Sequence, residues 1–413
     1  MARHRGADDG RAAQPQGVHE YFPRGPGLVM QFEFTTAATI IFGPGKLREA
    51  GPTIQNSGRR PLVVTGRNVQ RAEPLLQILR ENNVDVVTFP VSGEPKIQTV
   101  RDGVALAKKE KCDWVIGIGG GSVLDAGKAI AAMLTNEGDV LDYLEIIGEG
   151  KALTKQPARF IAIPTTAGTG SEVTRNAVLA SPEHRIKVSL RSRNMLPSVA
   201  LVDPELTYNL PPGITASTGL DALTQLIEPY VCLRANPMTD AVCIEGIRRV
   251  ANSFRRAVEN GTDAKARADM AVASLFGGMA LANAGLGAVH GFAGPIGGLF
   301  SAPHGEICAA LLADVMETNL RALRERDQSS CARSRYNCVA RILTGDDHAT
   351  AQVGIEWIRQ LVSDFKISRL GAHGIKSEHI GEIVKNAMNA SSMKANPIKL
   401  TENELTEILQ RAI

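Results

Sequence analysis

Two apolar rhythms divide the chain. Up to about residue 205, short runs rich in β-branched residues alternate with segments of helical spacing. Leu62–Val64, Val84–Phe89, Trp114–Ile118, Phe160–Ile163 and Val199–Val202 read as strands, with Glu73–Asn83 and Val123–Leu134 as helices between them. Trp114–Ile118 contains no polar side chain, as a strand buried on both faces requires. The alternation predicts a parallel sheet with crossover helices on both faces, an α/β domain over 30–205. Beyond Asp203 and Pro204 the rhythm changes. Leu220, Leu223, Ile227 and Val231 fall on one helical stripe and no later segment reads as a strand, so 206–413 is predicted to be an all-α domain. Residues 1–29 mix Arg, Gly, Pro, Gln and His without periodicity; they are expected to be disordered and lack the apolar core of a signal peptide. A folded pattern starts at Gln31, which makes Met30 a candidate start.

Composition narrows the classes of function. A chain of 413 residues is too long for one ordinary core and suits two domains. Its 46 basic and 43 acidic residues nearly balance, so the footprint of a nucleic-acid binder is missing and small molecules are the expected partners. The uncharged stretch Ala271–His304 is Gly-rich and carries Asn283, Pro295 and two histidines, which reads as a buried helix pair rather than a membrane span. The six cysteines are scattered without a Cys-x-x-Cys pair, which suits a reducing cytoplasm.

The chemistry is concentrated at two turns and one polar cluster. The strand ending at Ile118 runs into Gly119, Gly120, Gly121 and Ser122 and then into a helical pattern. Free backbone N–H groups and the helix dipole favour phosphate at such a turn, and glycines let it approach closely. The spacing is not Gly-x-Gly-x-x-Gly, and a tight strand-to-helix bend without a ligand accounts for the same residues. Asp125 suits either a capping box or a cofactor contact, and Lys128 either a phosphate or solvent. A second turn, Pro164–Glu172, also follows an apolar strand and offers hydroxyls and glycines to a dinucleotide cleft at the strands' carboxyl ends. Asp221 and Gln225 lie four apart on one helical face, and His290 and His304 fall in the uncharged stretch. The four together offer a carboxylate, an amide oxygen and two imidazoles to Fe(II) or Zn(II), although each alone also reads as an ordinary core residue.

With these residues in place, the chain resembles the iron-containing, group III, alcohol dehydrogenase family from about Phe34 to Ile413. The carriers are Phe42–Lys46, Gly119–Lys128, Pro164–Thr174, Gly219–Thr224, Val289-His290-Gly291 and Pro303-His304-Gly305. The resemblance implies a dehydroquinate synthase-like two-domain architecture: a dinucleotide-binding α/β domain, an all-helical domain, and cofactor and metal in the cleft between them. It implies reversible hydride transfer between a small alcohol and NAD or NADP, in a cytoplasmic homodimer. Carried across by position, Gly119, Gly120, Gly121 and Ser122 bind pyrophosphate, with Asp125 beside them. Thr165, Thr166 and Thr169 line the cofactor cleft, and Lys187 meets the ribose or nicotinamide side. Asp221, His290 and His304 match three metal ligands and form the catalytic centre, while Gln225 stands where the family usually places a fourth ligand, His. Gly294 stands where many members carry a His that resembles a proton relay. Gly66 replaces the Asp typical of NAD-preferring members, and with Arg67 beside it permits NADP(H). The alternatives are a maleylacetate-reductase-like enzyme independent of metal, a dehydroquinate-synthase-like lyase, and a nucleotide-binding pseudoenzyme.

Overall fold

A computed structural model describes residues 31–413 apart from 56, 57 and 59; the expectations for residues 1–29 and for Met30 lie outside them. The apolar runs pair into one parallel sheet. Its strands are β1 (Thr39–Phe42), β2 (Pro61–Gly66), β3 (Val87–Val91), β4 (Trp114–Gly119), β5 (Arg159–Pro164) and, after an antiparallel hairpin of β6 (Asn176–Ser181) and β7 (Ile186–Arg191), β8 (Val199–Val202). The order across the sheet is β1-β8-β5-β4-β2-β3. Helices α1 (Ala50–Gln55), α2 (Glu73–Glu81), α3 (Ile97–Lys109) and α4 (Gly121–Thr135) are the crossovers. Because successive strand residues point to opposite faces, Leu62, Val64 and Val115 enter a core with α3, α4 and the hairpin, whereas Val63, Trp114 and Ile116 enter another with α1 and α2.

Three details differ from the sequence reading. The third strand begins at Val87, not Val84, because Asn83 turns to a φ of 57° and Val84 N–H donates to Leu79 O at 3.0 Å. Residues 83–84 thus close the end of α2 before pairing begins. Strand β1 was not anticipated; it is short, half-exposed and at the sheet edge, so its apolar signal is weak. Nor was the β6–β7 hairpin, which buries Ala177 and Leu179 on one strand and Val188 and Leu190 on the other, each pair interrupted by a half-buried residue.

Beyond β8 the described residues form helices and no strand. These are α5 (Pro212–Val231), α6 (Pro237–Glu259), α7 (Ala264–Ala284), α8 (Ala288–Leu299), α9 (His304–Arg326), α10 (Ala332–Thr344), α11 (Ala351–Asp364), α12 (Ile380–Asn389) and α13 (Glu402–Ala412). Helix α5 is the axis of this part. It is buried on all sides from Gly219 to Val231, as a helix apolar around most of its circumference should be. No single described helix is long and apolar enough to cross a membrane; α7 and α8 pass that test only as a pair, and the chain bends by 98° between them.

The loop after β5 joins the sheet to the helices. Gly170, at a φ of 57°, lies so close to α7 that a Cβ on Gly278 would stand 2.2 Å from the Gly170 carbonyl oxygen. A Cβ on Gly168 would meet Thr218 of α5 at 2.8 Å. Around this contact, Val173, Ala200 and Val202 of the α/β part pack on Ala271, Leu275 and Met279 of α7. The carboxyl ends of the sheet therefore face the helical core across a joint made of backbone and small apolar side chains.

Candidate metal and nucleotide centre

Helix α5 carries three polar side chains on one face, spaced four and then three residues apart: Asp221, Gln225 and Glu228. All three are buried. Across from them, α8 presents His290 and the first turn of α9 presents His304, with Cys308 one turn further along the same face. His290 Nε2 lies 3.4 Å from Asp221 Oδ1 and His304 Nε2 lies 3.6 Å from it. The Cys308 sulfur is 3.8 Å from His290 Nε2 and 3.7 Å from His304 Nε2. One donor atom from each of Asp221, His290, His304 and Cys308 falls within 4.8 Å of all the others.

Two oxygens in this cluster, Asp221 Oδ1 and Gln225 Oε1, are buried without a hydrogen-bond partner. A buried polar atom left unpaired costs about 1–3 kcal/mol. A divalent cation among a carboxylate, two imidazoles and a thiol removes that cost, and the donor set suits one. The electrostatics agree. Burial opposes ionisation of Asp221, but the nearby His304 and His290 imidazoles overcome it and hold the carboxyl at about 2. Burial likewise disfavours charged imidazoles, yet Cys308 and Asp221 raise His304 to about 9 and push His290 well above its ordinary value. Positive charge is favoured here in either form, proton or metal ion.

His290 is held from behind. Its Nδ1–H donates to Glu228 Oε2 at 2.7 Å, and Glu228 Oε1 accepts the Val289 backbone N–H at 2.7 Å. This fixes the tautomer that points Nε2 toward Asp221, the carboxylate support usual behind metal-binding imidazoles. Glu228 and Cys308 were missed in the sequence reading. Each has a local signal: Glu228 continues the Asp221–Gln225 face by one turn, and Cys308 follows His304 by four.

The two predicted turns meet by register. Gly119, the last residue of β4, pairs with Pro164, the last of β5, and Thr165 N–H donates to Gly119 O at 2.9 Å. Gly120 and Gly121 then face the second turn: a Cβ on Gly120 would sit 3.4 Å from Thr166, and one on Gly121 2.9 Å from Thr169. Helix α4 starts at Gly121 and no side chain caps its N-terminus, while Ser122 stands half-buried in its first turn. Gly66 ends β2 beside this turn, with open space where a side chain would project, and Arg67 next to it is exposed.

Two residues near the turn behave differently from expectation. Asp125 makes no capping box: its carboxylate accepts Ser171 Oγ–H at 2.6 Å and Val178 N–H at 3.0 Å and pairs with Lys128 at 3.1 Å. With both oxygens engaged in the protein, it supports the turn from behind. Lys128 is neither solvated nor aimed at a phosphate; it is 1% exposed, and its Nζ donates to Ser171 O, Thr174 Oγ1 and Asn176 O. Both tie α4 to the second turn and to β6. Lys187, on β7, pairs with Glu94 at 3.2 Å and lies against Gly297, two turns of α8 beyond His290. A side chain at Gly294, one turn beyond His290, would meet nothing within 4 Å.

The sequence models of the iron-containing alcohol dehydrogenases match the chain nearly end to end: the family's main model covers residues 37–204 and its C-terminal model covers 215–413. The chain belongs to the iron-containing alcohol dehydrogenase family. As a member it is an oxidoreductase acting on CH–OH groups. Among curated relatives, alcohol dehydrogenase 4 of Schizosaccharomyces pombe is 38% identical over 90% of this chain and 87% of its own. Among solved structures, a 1,3-propanediol oxidoreductase superposes with a TM-score of 0.86 at 35% identity, covering 93% of this chain and all of its own. A sulfoacetaldehyde reductase from Bifidobacterium kashiwanohense in complex with NAD+ gives 0.82 at 28% identity, over 93% of this chain and 99% of its own.

Proposed function

We propose that this chain transfers hydride reversibly between a nicotinamide cofactor and a small alcohol or aldehyde at a divalent-metal centre built on Asp221, His290 and His304. The observation that carries the reading is the pair of orphaned buried oxygens, Asp221 Oδ1 and Gln225 Oε1, in a cluster with two imidazoles. A bound divalent cation would supply Lewis acidity to polarise the substrate oxygen. The protein's part is positional. Glu228 orients His290, the uncapped start of α4 with Gly119–Ser122 holds the pyrophosphate, and Thr165, Thr166 and Thr169 line the cofactor's path. The open space beside Gly294 admits water to carry the proton that no imidazole carries at that position.

The room at Gly66 and the neighbouring Arg67 favour a 2′-phosphate, so NADPH use or dual specificity is proposed. Cytoplasmic location and a homodimer follow from the family resemblance. Family membership favours a dehydrogenase over the lyase alternative. Elemental analysis of the purified protein should find a divalent metal, and a panel of aldehydes with NADH and NADPH should show turnover. Activity that survives exhaustive chelation, with no metal found, overturns the metal role and leaves the metal-independent reductase. A strong kinetic preference for NADH overturns the NADPH assignment, and binding of both nicotinamides without turnover points to the pseudoenzyme.

A further inference from the structure

Gln225 occupies the position where an imidazole ligand is missing, and an amide oxygen is a neutral and weaker donor. The geometry points to Cys308 as the replacement: we propose that its thiolate ligates the metal with Asp221, His290 and His304. The assignment rests on the metal reading above and goes beyond it in naming a sulfur ligand.

The distances fit. A tetrahedral ion with bonds of about 2.3 Å to sulfur and about 2.0–2.1 Å to nitrogen and oxygen sets its donors apart by about 3.6 Å for nitrogen to sulfur and about 3.3 Å for nitrogen to oxygen. The corresponding separations here are 3.7 and 3.8 Å for the two imidazoles to Cys308, and 3.4 and 3.6 Å for the same imidazoles to Asp221. Cys308 is itself fully buried, on the same face of α9 as His304 and one turn beyond it. The orphaned Asp221 Oδ1, 2% exposed as a residue, is an independent sign that a cation belongs between these groups.

Charge supports the same ligand set. Asp221 and a Cys308 thiolate neutralise a divalent ion, whereas Asp221 with Gln225 leaves one positive charge uncompensated in a buried site. Gln225, one turn along α5 from Asp221, is then a neighbour of the ion rather than one of its ligands. A soft thiolate moves preference from Fe(II) toward Zn(II) or Co(II). His304, whose side chain is 34% exposed, is the most open of the imidazole and carboxylate donors, so a bound ion would be accessible to substrate from its side.

X-ray absorption on the zinc-loaded full chain, with near-ultraviolet spectra of the cobalt form, tests this without reference to activity. The expected result is one sulfur scatterer at about 2.3 Å and a thiolate-to-cobalt charge-transfer band. Cys308→Ser should lose both and weaken zinc by more than the roughly 10–100-fold typical of a lost supporting hydrogen bond, while Gln225→Ala keeps both signals. A coordination sphere of nitrogen and oxygen alone in the unmodified protein overturns the cysteine assignment and leaves the metal reading intact. Failure of that protein to bind zinc or cobalt at all overturns the metal reading itself. Both outcomes are read on the unmodified chain, so a variant that fails to fold cannot obscure them.

Discussion

Glu228 reaches the cluster through the far nitrogen of His290, and its two oxygens hold both that ring and the backbone beside it. Glu228→Gln keeps the shape and removes the charge. Divalent metal affinity, measured by equilibrium dialysis, should fall by about 10–100-fold. An unchanged affinity would mean that His290 is oriented by packing alone. At this scale the sequence was legible where chemistry is concentrated in few residue types. Asp221, Gln225, His290 and His304 stand out because polar groups are rare in apolar segments, and the structure places the two histidines against Asp221. Cys308 was not legible because a cysteine on a buried helix face is ordinarily a small apolar residue, and only the proximity of two imidazoles gives its sulfur another meaning.

Among elements, the joint of α4, the second turn and β6 holds an unusual concentration of buried charge. Lys128, Glu172 and part of Asp125 lie inside it. Burial pushes the Glu172 carboxyl up to about 7, against the partial relief that Lys128 offers. The native state therefore holds a proton that the unfolded chain releases near its ordinary value of 4.5. Its contribution to stability is complete below that ordinary value and is lost as pH rises through about 7. Glu172→Gln stays neutral throughout. Urea titrations with a chelator present should show the two proteins diverging between pH 5 and 8, the variant gaining on the order of 2–3 kcal/mol relative to the unmodified chain. Parallel curves would place Glu172 in contact with water. None of this network was visible in the chain, since Lys128 and Asp125 sit in a helix start whose spacing permits solvent, ligand or interior equally. The strands that frame it were legible for the opposite reason. Strands β4 and β5 are buried on both faces and so have little polar content to obscure them, whereas β6 and β7 are half-covered and interleave buried and half-buried positions.

For the whole molecule, the contact between Gly170 and Gly278 sets how closely the sheet and the helical core approach. There is no side chain there to yield. Gly278→Ala should destabilise the protein by about 1–3 kcal/mol and raise the KM for the nicotinamide, because the loop it displaces also carries Thr165, Thr166 and Thr169. Gly381→Ala, on a helix where an added methyl meets nothing within 4 Å, should be neutral or stabilising. Thermal melts and cofactor kinetics on both variants check this, and equal behaviour of the two would show that the joint is loose. The change from alternating to helical patterning near Asp203 foretold the two kinds of architecture, because burial periodicity is local. The closeness of the joint was not foretold, because it depends on two glycines far apart in the chain.

The edge strand has a consequence in time. Thr39 lies beside Val199, and in the sheet β1 touches only β8, the last strand of the sheet to be made. A growing chain can assemble β2, β3 and β4 early, but its first strand must wait, unpaired, until residues near 200 have left the ribosome. Closure of the sheet is thus a late event in synthesis, and the loop after β5 can dock on α7 only once helices made later still have appeared.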